Sequence, residues 1–256
     1  MPLLMKKRTS TMALEALACL QPQSSAGSDG IHAAVYQRYA SVFAPKMGEL
    51  MDHVLQGAQL PEAWTEGLVR VVPKVPGSLL VSDMRPICLQ NMLIKWMTAI
   101  VLRQLEDFFA AIIPKSQKGC VKGRQMTDHI TQATNTWQQR HPGAWLSLDF
   151  SKAFDSVSHE YLQALFQYCS LPQPYIALIL QCLRGRIRFL VTGDADKDHV
   201  LRPGRGIRQG DPLSPLLFNW ATSALLWSLT TLKKPPDAYA YAEDILLHLK
   251  GRKDVN

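Results

Sequence analysis

The sequence predicts an α+β protein, with helices and strands intermixed and strands of antiparallel character gathered toward the C-terminus. Three observations predict it. Two long stretches without charge, 161–183 and 212–232, have the length of buried helices. LVRVV (68–72), WLSLDF (145–150) and RIRFLV (186–191) are short apolar runs bounded by turn residues, as strands are. AYAYAEDILLHLK (238–250) reads as two apolar strands around an acidic turn. A length of 256 residues suits one large domain or two small ones with a buried core. The 47% hydrophobic and 19% charged content excludes a disordered chain. Five cysteines without a C-x2-C pair exclude a disulfide framework and the usual zinc spacings. They suit a reducing compartment, so an intracellular location is expected.

In chain order, Lys6, Lys7 and Arg8 precede Ala13, Ala16, Leu17 and Leu20 at helical spacing around Glu15. That pattern fits a short amphipathic helix better than a signal peptide. Residues 21–30 (QPQSSAGSDG) form a linker, and 31–56 a helical stretch. Strand 68–72 is stopped by Pro73, Pro76 and Gly77. Residues 91–113 give a long amphipathic helix closed by Pro114. Ser158 N-caps a helix over 158–169. RIRFLV, a polar turn and HVLRPGRG (199–206) suggest a hairpin. Pro172 and Pro174 interrupt the first charge-free stretch and Pro212 and Pro215 the second, so neither is read as a membrane span.

Carboxylates at strand ends carry the first chemical signal. Asp149 closes WLSLDF, and Glu243 and Asp244 form the turn of the last hairpin. A charge placed directly after apolar strand residues needs a cation or a metal as partner. Converging carboxylates suit Mg²⁺, which takes hard oxygen ligands and shares its shell with substrate phosphates. The same residues also fit a plainer pattern, in which Asp149 and Asp155 cap the next helix and Glu243-Asp244 is a polar turn. RGIRQGDPLSPLLFN (205–219) is a basic, glycine-containing turn running into a helix start, where backbone N–H groups favour an anion. It matches neither G-x-G-x-x-G nor G-x-x-x-x-G-K. Basic residues recur at Lys74, at Arg85, over 115–124 and over 184–208, and the formal charge of +7 fits a polyanionic partner.

Together these residues resemble the reverse transcriptase of non-LTR (LINE-type) retrotransposons, in the family's order from about Ser28 to His248. The matching blocks are SDGIHAAVYQRY (28–39), WTEGLVRVVPKV with MRPICLQNMLIKWMTAIVLRQLEDFF, QKGCVKGRQMTDHI, LDFSKAFDSV (148–157), RQGDPLSPLLFN and YAED (241–244). The resemblance implies a right-hand polymerase fold: an antiparallel palm sheet with packed helices, plus fingers, and no thumb. It implies a tail and linker over 1–27, mainly fingers over 28–144 and mainly palm over 145–256. Its activity would be RNA-directed DNA polymerisation at a primer 3′-OH. The partners would be an RNA template, a DNA primer and deoxynucleoside triphosphates.

Carried over residue by residue, it implies Asp149, Glu243 and Asp244 as catalytic metal ligands for two Mg²⁺ ions, with Mn²⁺ as an alternative. Lys74 and Arg85 would meet the triphosphate, Phe154 would stack under the sugar, and Gln209 and Gly210 would line the nucleotide pocket. Lys118, Lys122, Arg124, Arg205 and Arg208 would contact nucleic acid. Plainer readings are a core aromatic at 154, a surface lysine at 74 and a helix cap at 209. Alternative functions are a catalytically impaired remnant that binds nucleic acid, and a group II intron maturase-like enzyme. Departures are Glu243 for the family's Asp, Cys120 for its usual Phe, Met84 for an aromatic, and only 12 residues after Asp244. Weak polymerisation by this chain is expected from Glu243 and the short end.

Overall fold

The computed structural model describes residues 10–78, 80, 83–139, 143–191 and 194–251. Lys6, Lys7, Arg8 and residues 252–256 of the expected palm lie outside the described residues. The elements in order are α1 (Ser10–Ala18), α2 (Ala33–Arg38), α3 (Ala40–Leu55), α4 (Glu62–Thr65), β1 (Gly67–Pro73), β2 (Met84–Gln90), α5 (Met92–Ile112) and α6 (Met126–Gln138). There follow β3 (Gly143–Leu148), α7 (Ala153–Ser156), α8 (His159–Tyr168), α9 (Gln173–Arg184), β4 (Ile187–Val191), β5 (Asp194–Leu201), α10 (Ser214–Thr230), β6 (Asp237–Tyr241) and β7 (Asp244–Lys250). The chain is thus mixed α and β; among the described residues four of the five strand pairings are antiparallel and β1–β4 is parallel. Among the described residues no helix is long and apolar enough to cross a membrane.

The chain divides into two compact units, each discontinuous in sequence. The first takes residues up to Gln104 together with Phe154–Ser214; the second takes Leu105–Ala153 with Pro215 onward. Each unit thus takes residues from both sides of position 144. Residues 154–214, expected within the palm, pack with the N-terminal half.

The first unit is built on a four-stranded sheet of order β2-β1-β4-β5. β1 and β2 pair from Gly67↔Gln90 to Pro73↔Met84. Pro86 lies inside β2, which hides that strand from sequence reading; the structure tolerates it because β2 is an edge strand. The hairpin β4–β5 begins earlier than the expected 199–206 segment, with Ile187 opposite Leu201. Pro203 follows that end and lacks the N–H that pairing needs. Around the sheet, α1 packs on α3 and α8 on α9, burying Ala13, Ala16, Leu17, Met47, Met51, Leu162, Phe166, Ile176 and Ile179. The Trp96 indole N–H donates to the Ala13 carbonyl at 2.8 Å, tying α1 to α5. Ser158 caps α8 as expected, its hydroxyl accepting from the Tyr161 N–H at 3.3 Å.

The second unit carries a three-stranded antiparallel sheet of order β3-β7-β6. One face packs Leu226 of α10 against Ala240, Ile245 and Leu247, with Leu148, Phe150 and Leu229 alongside. The other carries a run of aromatic rings: Trp145 stacks with Tyr239 at 6.0 Å and meets His248 at 4.8 Å, and Tyr239 meets His129 of α6. α6 was not expected from sequence. Its Thr- and Asn-rich segment MTDHITQATNTWQ buries only His129, so it presents no apolar stripe to the core.

Candidate active site

The sequence places Asp149 far from the adjacent pair Glu243 and Asp244; strand register brings Asp149 beside Asp244. β3 and β7 pair from Gly143↔Lys250 to Leu148↔Ile245. One step further in the same register stand Asp149, just past β3, and Asp244, the first residue of β7. Facing positions of an antiparallel pair hold their Cβ atoms about 5 Å apart. Both residues are solvent-exposed. Apolar residues on either side, Leu148, Phe150 and Ile245, anchor the two chain segments in the α10 core.

Glu243 lies in the two-residue turn between Tyr241 and Asp244, and is half-buried. Its charge reaches Cys120: the thiol is pushed up first by burial and then by the Glu243 carboxylate. Among the described residues, no three His, Cys, Asp or Glu side chains gather as a metal-binding group. Register thus sets Asp149 beside Asp244, and Glu243 adjoins Asp244 in the turn. Two adjacent carboxylates are hard oxygen donors, and Mg²⁺ is commonly held by one or two carboxylates, with water and substrate phosphates completing its shell. The donor chemistry of the pair fits that ion.

Turn geometry depends on residues that sequence reading passed over. Ala242, the first turn residue, has φ of +50°, a conformation that favours glycine. Gln117, which is 0% exposed, accepts from the Ala242 N–H at 2.8 Å and donates to the Ala242 carbonyl at 3.1 Å. Backbone bonds from Ala240 N–H to Ser116 and from Lys118 N–H to Ala240, both 2.8 Å, add this segment to the free edge of β6. No sequence signal marks Gln117 beyond its place in the QKGC block.

The first unit holds the other candidates. Lys74 and Arg85 are exposed, at and beside the β1–β2 ladder. Val72 faces Arg85, and alternation puts Arg70 on the same face. Arg70 is also exposed and was not singled out from sequence. Phe154 is half-buried in α7, and its carbonyl accepts from the Ile207 N–H at 2.9 Å. The Gln209 carboxamide reaches the Asp155 carboxylate at 3.5 Å, and its carbonyl accepts from Cys88 of β2 at 3.2 Å. Asp211 braces the turn that leads into α10, accepting from the Leu213 N–H at 2.8 Å, while the Ser214 hydroxyl donates to the Arg208 carbonyl. Gly210 is exposed, next to the Cys88 carbonyl.

Several of the expected nucleic-acid contacts have partners within the protein. Arg208 is buried; its guanidinium donates to the Gly185 carbonyl at 2.6 Å and lies by the Cys88 sulfur. Its charge faces Asp211, whose carboxyl burial pushes up, and Lys95, lowered by burial, lies close by. Arg124 donates to the carbonyls of Ala110, Ile113, Pro114 and Gln117, closing the C-terminal end of α5. Lys118 pairs with Asp128 at 2.7 Å and Lys122 with Glu106 at 3.1 Å, the latter pair more exposed. Within 184–208, Arg186 and Arg188 converge on buried Glu66, and Arg202 pairs with Glu62. Arg205 alone of the five named contacts is exposed with its side chain outside these ion pairs.

Over residues 72–256 the chain matches the family described as reverse transcriptase (RNA-dependent DNA polymerase). It is 27% identical over 254 residues to the transposon TX1 uncharacterized 149 kDa protein of Xenopus laevis, covering 94% of this chain and 19% of that protein. It is 26% identical over 242 residues to the retrovirus-related Pol polyprotein from type-2 retrotransposable element R2DM of Drosophila melanogaster, covering 90% and 22%. A Pol polyprotein from type-1 retrotransposable element R2 of Popillia japonica is 28% identical over 236 residues, covering 88% and 32%. The chain thus spans about a fifth to a third of the length of these relatives.

Proposed function

This chain belongs to the reverse transcriptase (RNA-dependent DNA polymerase) family, and from that premise we propose that it is the polymerase domain of a non-LTR retrotransposon protein, extending a DNA primer along an RNA template. In this reading the β3-β7-β6 sheet is the core of the palm, and the β2-β1-β4-β5 sheet belongs to the fingers. One observation carries it: the Leu148↔Ile245 pairing that sets Asp149 beside Asp244 at one end of an antiparallel sheet.

Asp149 and Asp244 would hold Mg²⁺. When bound, the ion supplies positive charge to the attacking and leaving oxygens of phosphoryl transfer. The protein's own groups do the rest. Lys74 and Arg85 take up the negative charge of the triphosphate, and Phe154 offers a flat apolar wall to the sugar, where a 2′-OH would crowd it. Gln209, braced by Asp155 and Cys88, presents the 209–210 backbone to the base pair being formed.

Primer extension on an RNA template with Mg²⁺ tests the reading. Extension should occur and should vanish in both Asp149→Ala and Asp244→Ala; extension that survives either change removes the proposed site. A second reading is favoured by one observation, the Glu243 that stands beside Asp244 where the resembled family has Asp. In that reading the chain binds template and primer but turns over poorly. The same assay separates the two, because binding would persist where extension is weak.

A further inference from the structure

We propose that Gln117 is the positioning residue of the acidic turn, its buried carboxamide holding Ala242 in the left-handed conformation from which Glu243 and Asp244 leave. This rests on the polymerase reading for its functional half; the clamp itself rests on geometry. Three hydrogen bonds meet in one side chain. Gln117 Oε1 accepts from the Ala242 N–H at 2.8 Å and the Gly119 N–H at 2.9 Å, and Nε2 donates to the Ala242 carbonyl at 3.1 Å. Both polar groups of Ala242 are thus held by one buried amide. A side chain with a Cβ pays for φ of +50° that glycine would adopt freely, so the conformation persists only where the surroundings impose it.

The clamp is fixed at its other end. Asn219 of α10, itself buried, donates to the Gly119 carbonyl at 2.5 Å. A Cβ at Gly119 would collide with the Ala242 nitrogen, so glycine there is what lets the two segments approach. On either side of Gln117, backbone bonds from Lys118 and to Ser116 fix the segment against Ala240. α10, the 116–119 segment and the turn are therefore linked by consecutive hydrogen bonds, all within the second unit. Asp244 begins β7 directly after this turn, so the position of its carboxylate relative to Asp149 follows from the conformation imposed at Ala242.

The test uses the full chain, Gln117→Met, and Gln117→Met with Ala242→Gly. Methionine keeps the length and apolar volume but removes the acceptor and the donor. The clamp predicts that exchange of the Ala242 amide proton is at least about tenfold faster in Gln117→Met, relative to amides in the middle of β7. It predicts that broadening of the 242–245 amide signals by added Mn²⁺ weakens in the same variant. In primer extension kcat should fall by about tenfold or more with KM for the deoxynucleotide within about twofold, since a shift near 1 Å at reacting groups has effects of that size or larger. Glycine at 242 restores the left-handed turn without help, so the double variant should regain kcat while its amide stays unprotected. An Ala242 amide that exchanges equally fast in the original chain overturns the clamp. A loss of kcat that glycine does not rescue overturns the positioning role and leaves Gln117 a packing residue. Absence of Mn²⁺ broadening in the original chain would instead overturn the polymerase reading, with the exchange measurement still deciding the clamp.

Discussion

Arg205 and Arg208, three residues apart in a basic loop, should respond to mutation in opposite ways. Arg208 is 7% exposed and donates to the Gly185 carbonyl at 2.6 Å. Replacing it by Ala leaves that buried acceptor without a partner, at a cost of about 1–3 kcal/mol. It also removes a buried aliphatic stem, another ~1–2 kcal/mol, and takes the facing cation from Asp211. Against these stands one relief: the Arg208 Nε has no hydrogen-bond partner, so the variant no longer buries an incompletely satisfied guanidinium. The net expectation is a loss of about 3 kcal/mol. Arg208→Met keeps the stem and should lose about half as much. Arg205→Ala, at an exposed position, should stay within about 0.5 kcal/mol of the original. Binding should reverse the order. Arg205→Ala should lower the slope of log affinity for single-stranded RNA against log salt by about 0.7, the value for one lost phosphate contact. Urea midpoints at unchanged m-value and fluorescence anisotropy across a salt series measure the two effects. If Arg208→Ala is as well tolerated as Arg205→Ala, the assignment of Arg208 to the interior is wrong.

Glu66 is 2% exposed and takes hydrogen bonds from both Arg186 and Arg188, whose side chains keep some exposure to water. Glu66→Gln should therefore destabilise by about 2–3 kcal/mol in urea titration, and an unchanged midpoint would refute the network. His129 and His159 are buried, and each holds a backbone carbonyl through Nε2. Burial keeps both below the ordinary value of 6.5, so the unfolded chain takes protons first as pH falls below 6.5. Stability should be full above that pH and decline beneath it by up to about 1.4 kcal/mol per pH unit for each histidine; a flat profile between pH 6.5 and 5 would contradict this. Glu243→Asp should raise primer extension about tenfold if the longer side chain keeps its carboxylate from Asp149 and Asp244, and an unchanged rate would show that Glu serves as well.

What the sequence made legible were elements whose pattern is local. The helix 91–113, the Ser158 cap, the linker and the terminal hairpin appear within a residue or two of their expected places. Strand β2 escaped because Pro86 is a strand breaker everywhere except at an edge, and edge position is a property of the sheet. α6 escaped because one buried histidine gives no periodicity. The two-unit division escaped for a similar reason: each unit is assembled from two separated stretches, and no composition shift marks their joins. Asp149 and Asp244 were visible as charges ending apolar runs, which is a local signal. Gln117 was not, because a glutamine that satisfies a turn elsewhere in the chain looks like any polar loop residue until the turn is in contact with it.

Charge was the property whose surroundings the sequence showed least, and the reason is general. A run of basic residues advertises a polyanion site only if its charges face water, and a sequence does not show which carboxylates fold against them. Here two glutamates from the α4–β1 region engage three arginines of 184–208, and a fourth is buried against a carbonyl. The net charge of +7 is unaffected by this pairing, since it counts both partners. The unneutralised cations must then stand elsewhere. Among the described residues, Arg70, Lys74 and Arg85 stand outside the ion pairs, exposed on or directly after the β1–β2 ladder. Cross-strand register sets Val72 against Arg85 and Ile87 against Arg70, so the two arginines occupy diagonal positions on one face with short apolar residues between them. Such spacing keeps like charges from facing each other directly, which would be destabilising, while leaving both within reach of one extended anion. Among the described residues, this hairpin gathers more exposed cations outside ion pairs than the 184–208 segment does.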